Sequence, residues 1–143
     1  MIFSLMALIS ATLFAGAALY ISMVEHPARL GLDDAPLLQQ WQPSYTRALP
    51  IQSSLAVIGG VAGLLAGYWT MDWRWLAGSI ALLTNWPFTV LAIFPVNKRL
   101  MALSPDQASA ESRDMLVRWV KLHAVRSALG AVAVLLFAWG VAG

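Results

Sequence analysis

The chain has 143 residues, of which 59% are hydrophobic and only 11% charged. A soluble domain of this length keeps roughly a quarter of its residues charged, so the composition excludes an ordinary globular protein and a disordered one alike, and a mean hydropathy of +0.70 points to the bilayer. A formal net charge of +2 is too small to argue for nucleic acid as a partner, and a cysteine count of zero excludes disulfides, thiolate nucleophiles and Cys-ligated zinc or iron–sulfur clusters.

About 20 apolar residues cross a bilayer. The sequence supplies four such stretches, over 2–24, 48–69, 73–96 and 115–142. They predict an all-α integral-membrane domain over 1–143, a four-helix bundle running up-down-up-down, with short interfacial helices on the cytoplasmic side. The first stretch has no charge and no basic segment before it, which reads as a retained helix rather than a cleaved signal peptide. Ala7, Ala11 and Ala15 give it a narrow face of small residues.

After it, Asp33 and Asp34 precede Pro36, Leu37, Leu38 and Trp41, a pattern that predicts a short capped helix along the interface. The second span carries Gly59, Gly63 and Gly67 at intervals of four, a seam for close helix packing inside the bundle; the same repeat also suits a homo-oligomer. The third span is interrupted by Pro87 and Pro95, and Thr89, Ile93, Val96 and Asn97 share one broad face of it. Such a face would form a groove for a flat apolar molecule entering from lipid. Ser104 and Pro105 predict the start of the helix that runs into the fourth span.

Basic residues near span ends stay in the cytoplasm. Arg29, Arg47, Lys98, Arg99, Arg113, Arg118, Lys121 and Arg126 fall at one end of the spans and Arg74 alone at the other. The count predicts both termini outside the cytoplasm, in what is expected to be a bacterial inner membrane. Trp69, Trp73, Trp75 and Trp139 would form the outer aromatic belt and Trp41 and Trp119 the inner one, with Trp86 at mid-span.

Polar groups that lipid should exclude gather at the basic end: Glu25, His26, Asn97, His123 and Arg126, with Gln52 and Ser53 beside them. Trp119, His123, Arg126 and Gly130 recur at intervals of four, three and four, which puts them on one helix face. Arg126 lies too deep to reach water and needs a counter-charge, and Glu25 is the carboxylate nearest in depth, so a Glu25–Arg126 contact is expected. That pair could serve chemistry or simply lock span one to span four. His26 and His123 can exchange protons near neutral pH, tie helices together, or ligate a metal ion or haem.

Three segments carry a family resemblance. Glu25-His26-Pro27-Ala28-Arg29, then Pro87-Phe88-Thr89 with Pro95-Val96-Asn97-Lys98-Arg99-Leu100, then Trp119-Val120-Lys121-Leu122-His123-Ala124-Val125-Arg126 together resemble the DUF1772 or anthrone oxygenase-like family of small integral-membrane proteins. The resemblance implies a four-helix membrane fold. For fungal members it implies oxidation of anthrones to anthraquinones by molecular oxygen, with no established organic cofactor and no metal.

With that activity, His26 or His123 would act as base, Arg126 and Asn97 would stabilise charge on oxygen, and Glu25 would orient one of them. Trp41, Tyr45, Trp86, Thr89 and Trp119 would line the path of a small lipophilic ligand. The rival expectations are a non-catalytic binding or accessory protein, and a haem or metal protein using His26 and His123. A transporter fits less well, because four spans without an inverted repeat give no sign of alternating access.

Overall fold

The computed structural model describes residues 1–143 and contains no β-strand. Four long apolar helices, each long enough to cross a membrane, form the bundle: α1 (Ile2–Arg29), α2 (Asp34–Thr70), α3 (Trp73–Ala102) and α4 (Ala110–Ala142). Each packs against its neighbours in chain order, and α4 closes the ring against α1. Such an up-down-up-down arrangement makes the protein an integral-membrane four-helix bundle.

At one end the helices are drawn together by small residues. Ala7, Ala11, Ala18, Ala56, Ala62, Ala66 and Ala133 are buried with Phe14, Trp75, Leu82 and Phe137. A side chain at Gly59 would press on Leu82, Ser10 and the backbone of Ala11, and one at Gly63 on Ser79 and Phe137. The glycine seam therefore lies inside the bundle, where it lets α2 approach α1, α3 and α4 closely. Trp69, Trp73 and Trp139 are exposed beyond it, but Trp75 is buried and stacks on Phe137. Its expected place in the outer belt is lost because position 75 falls on the inward face of α3.

At the other end the core is large and aromatic: Leu37, Leu38, Trp41, Leu100, Leu116 and Trp119 are buried together with Ile21, Ile93 and Val96. The segment expected to be a separate helix before span two is instead the start of α2, which runs unbroken through Pro43 and Pro50. Pro36 sits in its first turn, where the missing N–H has no intrahelical acceptor to lose. Leu37, Leu38 and Trp41 thus rise into the core rather than lying along the interface, and Trp41 and Trp119 are interior residues rather than a belt.

Side chains close the helix ends here. The Gln42 amide donates to the Leu100 and Leu103 carbonyls at 2.9 and 2.8 Å, where α3 stops. Arg113 donates to Asp34 and to the carbonyls of Leu30 and Leu32, tying down the turn between α1 and α2. Residues 105–107 form an isolated 3-10 turn capped by Ser104, and α4 starts only at Ala110 with Ser109 as its cap.

Two helices are irregular. In α1 a π turn over Ile21–Glu25 makes the His26 N–H bond to the Ile21 carbonyl, five residues back, immediately before Pro27. A second π turn over Thr89–Ile93 stands immediately before Phe94 and Pro95 in α3. Proline cannot donate to the carbonyl four residues earlier and its ring crowds that carbonyl, and a wider turn relieves both problems.

Candidate functional site

The inward residues of α1 run Ala7, Ala11, Phe14, Ala18, Ile21 at helical intervals, and regular spacing would put Glu25 next. The π turn inserts one residue, so His26 and Arg29 face the interior and Glu25 moves to the rim. This corrects the expected Glu25–Arg126 contact. Glu25 is instead ion-paired with Arg29 and accepts from Ser44 at 2.7 Å and Gln40 at 3.3 Å. Arg126 donates to Gln52 Oε1 at 2.9 Å and lies 5.5 Å over the Phe14 ring. A buried guanidinium bonded to a neutral amide keeps its full charge, at an insertion cost of about 2.5–3.5 kcal/mol at membrane depth.

On α4, Trp119, His123 and Arg126 face inward as their spacing requires. The Trp119 ring stacks on His123 at 4.8 Å between centroids and meets His26 at 5.2 Å. Its indole N–H donates to Asn97 Oδ1 at 2.8 Å, which joins α4 to α3. Asn97 Nδ2 is left without a partner.

The two histidines are held differently. His26 Nε2 is 3.0 Å from the Leu116 carbonyl, an acceptor only, so Nε2 carries the proton. His123 Nδ1 is 3.0 Å from Ser22 Oγ, which is 3.1 Å from Ser127 Oγ; Ser127 in turn bonds the His123 carbonyl at 3.4 Å. The carbonyl accepts from Ser127, Ser127 then accepts from Ser22, and Ser22 is left to accept from Nδ1–H. Followed in this direction, the chain leaves the His123 Nε2 lone pair free. No three of the His, Asp and Glu side chains come together as a ligand set.

Two cavities meet at Arg126. The first, about 20 Å³, is walled by Arg29, Trp41, Ser44, Tyr45, Gln52, Trp119, His123 and Arg126, with Ile21, Ala48 and Leu49. The second, about 100 Å³, lies among Leu49, Ser53, Ala56, Asn85, Trp86, Thr89, Val90, Phe94 and Arg126. Trp86, Val90 and Phe94 are partly exposed on the lipid-facing side, so this second cavity lies beneath the seam between α2 and α3. Leu49 and Arg126 belong to both.

The expected site residues therefore divide. His123, Arg126, Trp41, Tyr45 and Trp119 line the first cavity, and Trp86, Thr89 and Arg126 the second. Glu25, His26 and Asn97 line neither and act on the walls from behind. Arg29, Ser44, Ser22 and Asn85 are the additions, and Gln52, already among the polar groups of this end, is the partner of Arg126. Arg29 had counted only as a basic residue of the connection, and its burial became visible only with the π turn that Pro27 signals.

The sequence matches known proteins over most of its length. The family profile described as Anthrone oxygenase matches residues 41–136. An "Anthrone oxygenase" of Claviceps purpurea (strain 20.1) is 29% identical over 137 residues, covering 86% of this chain and 79% of the relative. "Anthrone oxygenase tpcL" of Aspergillus fumigatus is 32% identical over 134 residues, covering 85% and 81%. No solved structure matches. With the profile spanning α2 to α4 and both relatives aligned across the bundle, the chain belongs to the anthrone oxygenase family.

Proposed function

We propose that the protein is a membrane-embedded oxidoreductase that oxidises a flat, lipophilic aromatic substrate of the anthrone type with dioxygen. The observation that carries this reading is an imidazole and a buried guanidinium one turn apart on α4, the guanidinium bordering both the small cavity that His123 lines and the apolar cavity under the lipid-facing Trp86, Val90 and Phe94. The names of the two fungal relatives supply the substrate class.

An anthrone holds a methylene between two aromatic rings, and its proton is acidic. His123 Nε2 lines the small cavity, reaches that proton past Arg126, the side chain that borders both cavities, and removes it, with Nδ1–H fixed by Ser22. The carbanion gives one electron to dioxygen; the resulting radical and superoxide join in a C–O bond, and His123 returns its proton to give a hydroperoxide. Loss of the second C–H proton with O–O cleavage forms the carbonyl and releases hydroxide, which leaves as water. One dioxygen is consumed and one methylene becomes a ketone. Arg126 stabilises charge on oxygen throughout, held by Gln52. Asn97 and His26 fix Trp119 as a wall, Trp86 and Thr89 border the substrate, and Glu25 holds Arg29. The eight basic residues at this end support an orientation with the site near the cytoplasmic leaflet and both termini outside.

The test is turnover of an anthrone by the purified protein in lipid nanodiscs, read as oxygen uptake and quinone absorbance. His123→Gln is expected to lower the rate about 10²–10⁴-fold with the fold unchanged. A wild-type rate equal to spontaneous autoxidation would sink the proposal. The rival, a non-catalytic binding protein, draws on the Arg126–Gln52 and His26–Leu116 bonds as helix ties. Saturable anthrone binding without turnover would favour it.

A further inference from the structure

Three buried N–H groups without any acceptor belong to walls of the same small cavity: Arg29 Nε, Trp41 Nε1 and Arg126 Nε. Their residues are 4%, 0% and 6% exposed. Gln52 Oε1 is engaged by Arg126 and Ser44 Oγ by Arg29, and the free lone pair of His123 Nε2 on the same wall is bonded to none of the three. No carboxylate lines the cavity, and Glu25 meets Arg29 from the rim while also receiving Ser44 and Gln40. Two guanidiniums against one carboxylate leave a positive excess around a space of about 20 Å³. Since about 10–15 Å³ holds a single water, an aromatic ring cannot enter, but an ion of one to three atoms in a row can.

We infer that this cavity is a binding site for a small monoanion formed by Arg29, Trp41 and Arg126, and that its occupant in turnover is superoxide. The identity of the occupant rests on the proposed oxidation; the anion site itself does not. When the substrate carbanion loses one electron and dioxygen gains it, the new charge lies among the three residues that carry the unpartnered donors, which turn to it. His123 Nε2–H, protonated in the preceding step, becomes a fourth. Arg126 and Leu49 border both cavities, so the radical and superoxide are held side by side until the C–O bond forms. A neutral dioxygen gains little from such donors and its reduced form gains much, so the site favours the transfer of charge itself.

Azide, a linear monoanion, is the probe. In nanodiscs at constant ionic strength, azide should raise the melting temperature saturably and sulfate should not. Trp41→Phe, which keeps the ring and removes the donor, should weaken azide binding about tenfold with unchanged far-ultraviolet circular dichroism. Arg29→Lys, which keeps the charge and removes Nε–H, should do the same and stands in if the first variant fails to fold. During turnover azide should compete with dioxygen and not with the anthrone. Equal effects of azide and sulfate would mean a solvent-filled gap and overturn the site. Competition with the anthrone would overturn superoxide as occupant and assign the cavity to a substrate oxygen. Should no anthrone be oxidised, the melting experiment still reads the anion site, so the two proposals fail separately.

Discussion

The two ends of this bundle bury similar numbers of side chains by opposite means. In the cluster around Phe14 and Phe137, seven of eleven buried residues are alanine; in the cluster around Trp41 and Trp119, none of nine is. Alanine and glycine let helix backbones touch, which leaves dispersion contacts and no room for anything else. Large rings hold helices apart, and between them lie the cavities and most of the unpartnered polar atoms. The α3 helix follows the same division: its first half packs closely on α2 and α4, while its second half, interrupted at Thr84 and by the Thr89–Ile93 turn, stands off. One end supplies cohesion and the other leaves room for chemistry.

Substitutions can separate those roles. The largest structural effect is expected from Gly78→Val, because even a β-carbon there would approach Phe137 Cε1 to 2.5 Å and Cδ1 to 2.7 Å. Overpacking of this kind costs about 1–3 kcal/mol, read as a lower melting temperature, with turnover per folded molecule preserved. If turnover fell while melting held, the division would be wrong. Gln52→Leu acts on the other end by leaving the Arg126 guanidinium without its bonded partner. Its expected cost is about 1–3 kcal/mol in stability, accompanied by a lower rate per folded molecule, which separates it from Gly78→Val.

The smallest effect belongs to the turn between α2 and α3. The Arg74 side chain and then its backbone N–H bond the Asp72 carboxylate and hold it below its ordinary value of 3.8. A carboxyl lowered on folding stabilises above that ordinary value and loses its contribution as pH falls through the lower, folded one. Asp72→Asn should therefore reduce the drop in melting temperature between pH 7 and pH 3 and leave turnover at pH 7 unchanged.

Much of this was legible from spacing. The four apolar stretches, the glycine seam and the inward face of Trp119, His123 and Arg126 follow from helical periodicity, because α4 is regular from Ala110 to Ala142. The misplaced residues lie where the period changes. Glu25 was expected to meet Arg126 because it is the carboxylate nearest in depth, and depth does not say which way a side chain faces; the π turn after Ile21 sets that for Glu25 and for Arg29 alike. The start of α2 was misread as a separate helix because the second span was counted from residue 48, whereas the helix runs on through Pro43 and its first turns bury Leu37, Leu38 and Trp41 in the core. The bond from Trp119 to Asn97 Oδ1, and the Asn97 Nδ2 left without a partner, are contacts that spacing alone does not reveal.

The extra residue between Ile21 and His26 is, in effect, an insertion that the first helix has absorbed without losing its heading. Periodicity counted strictly across it slips by one position, so sequences lacking this residue could present the same histidine and arginine inward while differing in length. Removing Val24, an exposed residue inside the widened turn, is the one-residue edit that restores ordinary winding and still leaves both flanking segments facing as they do now.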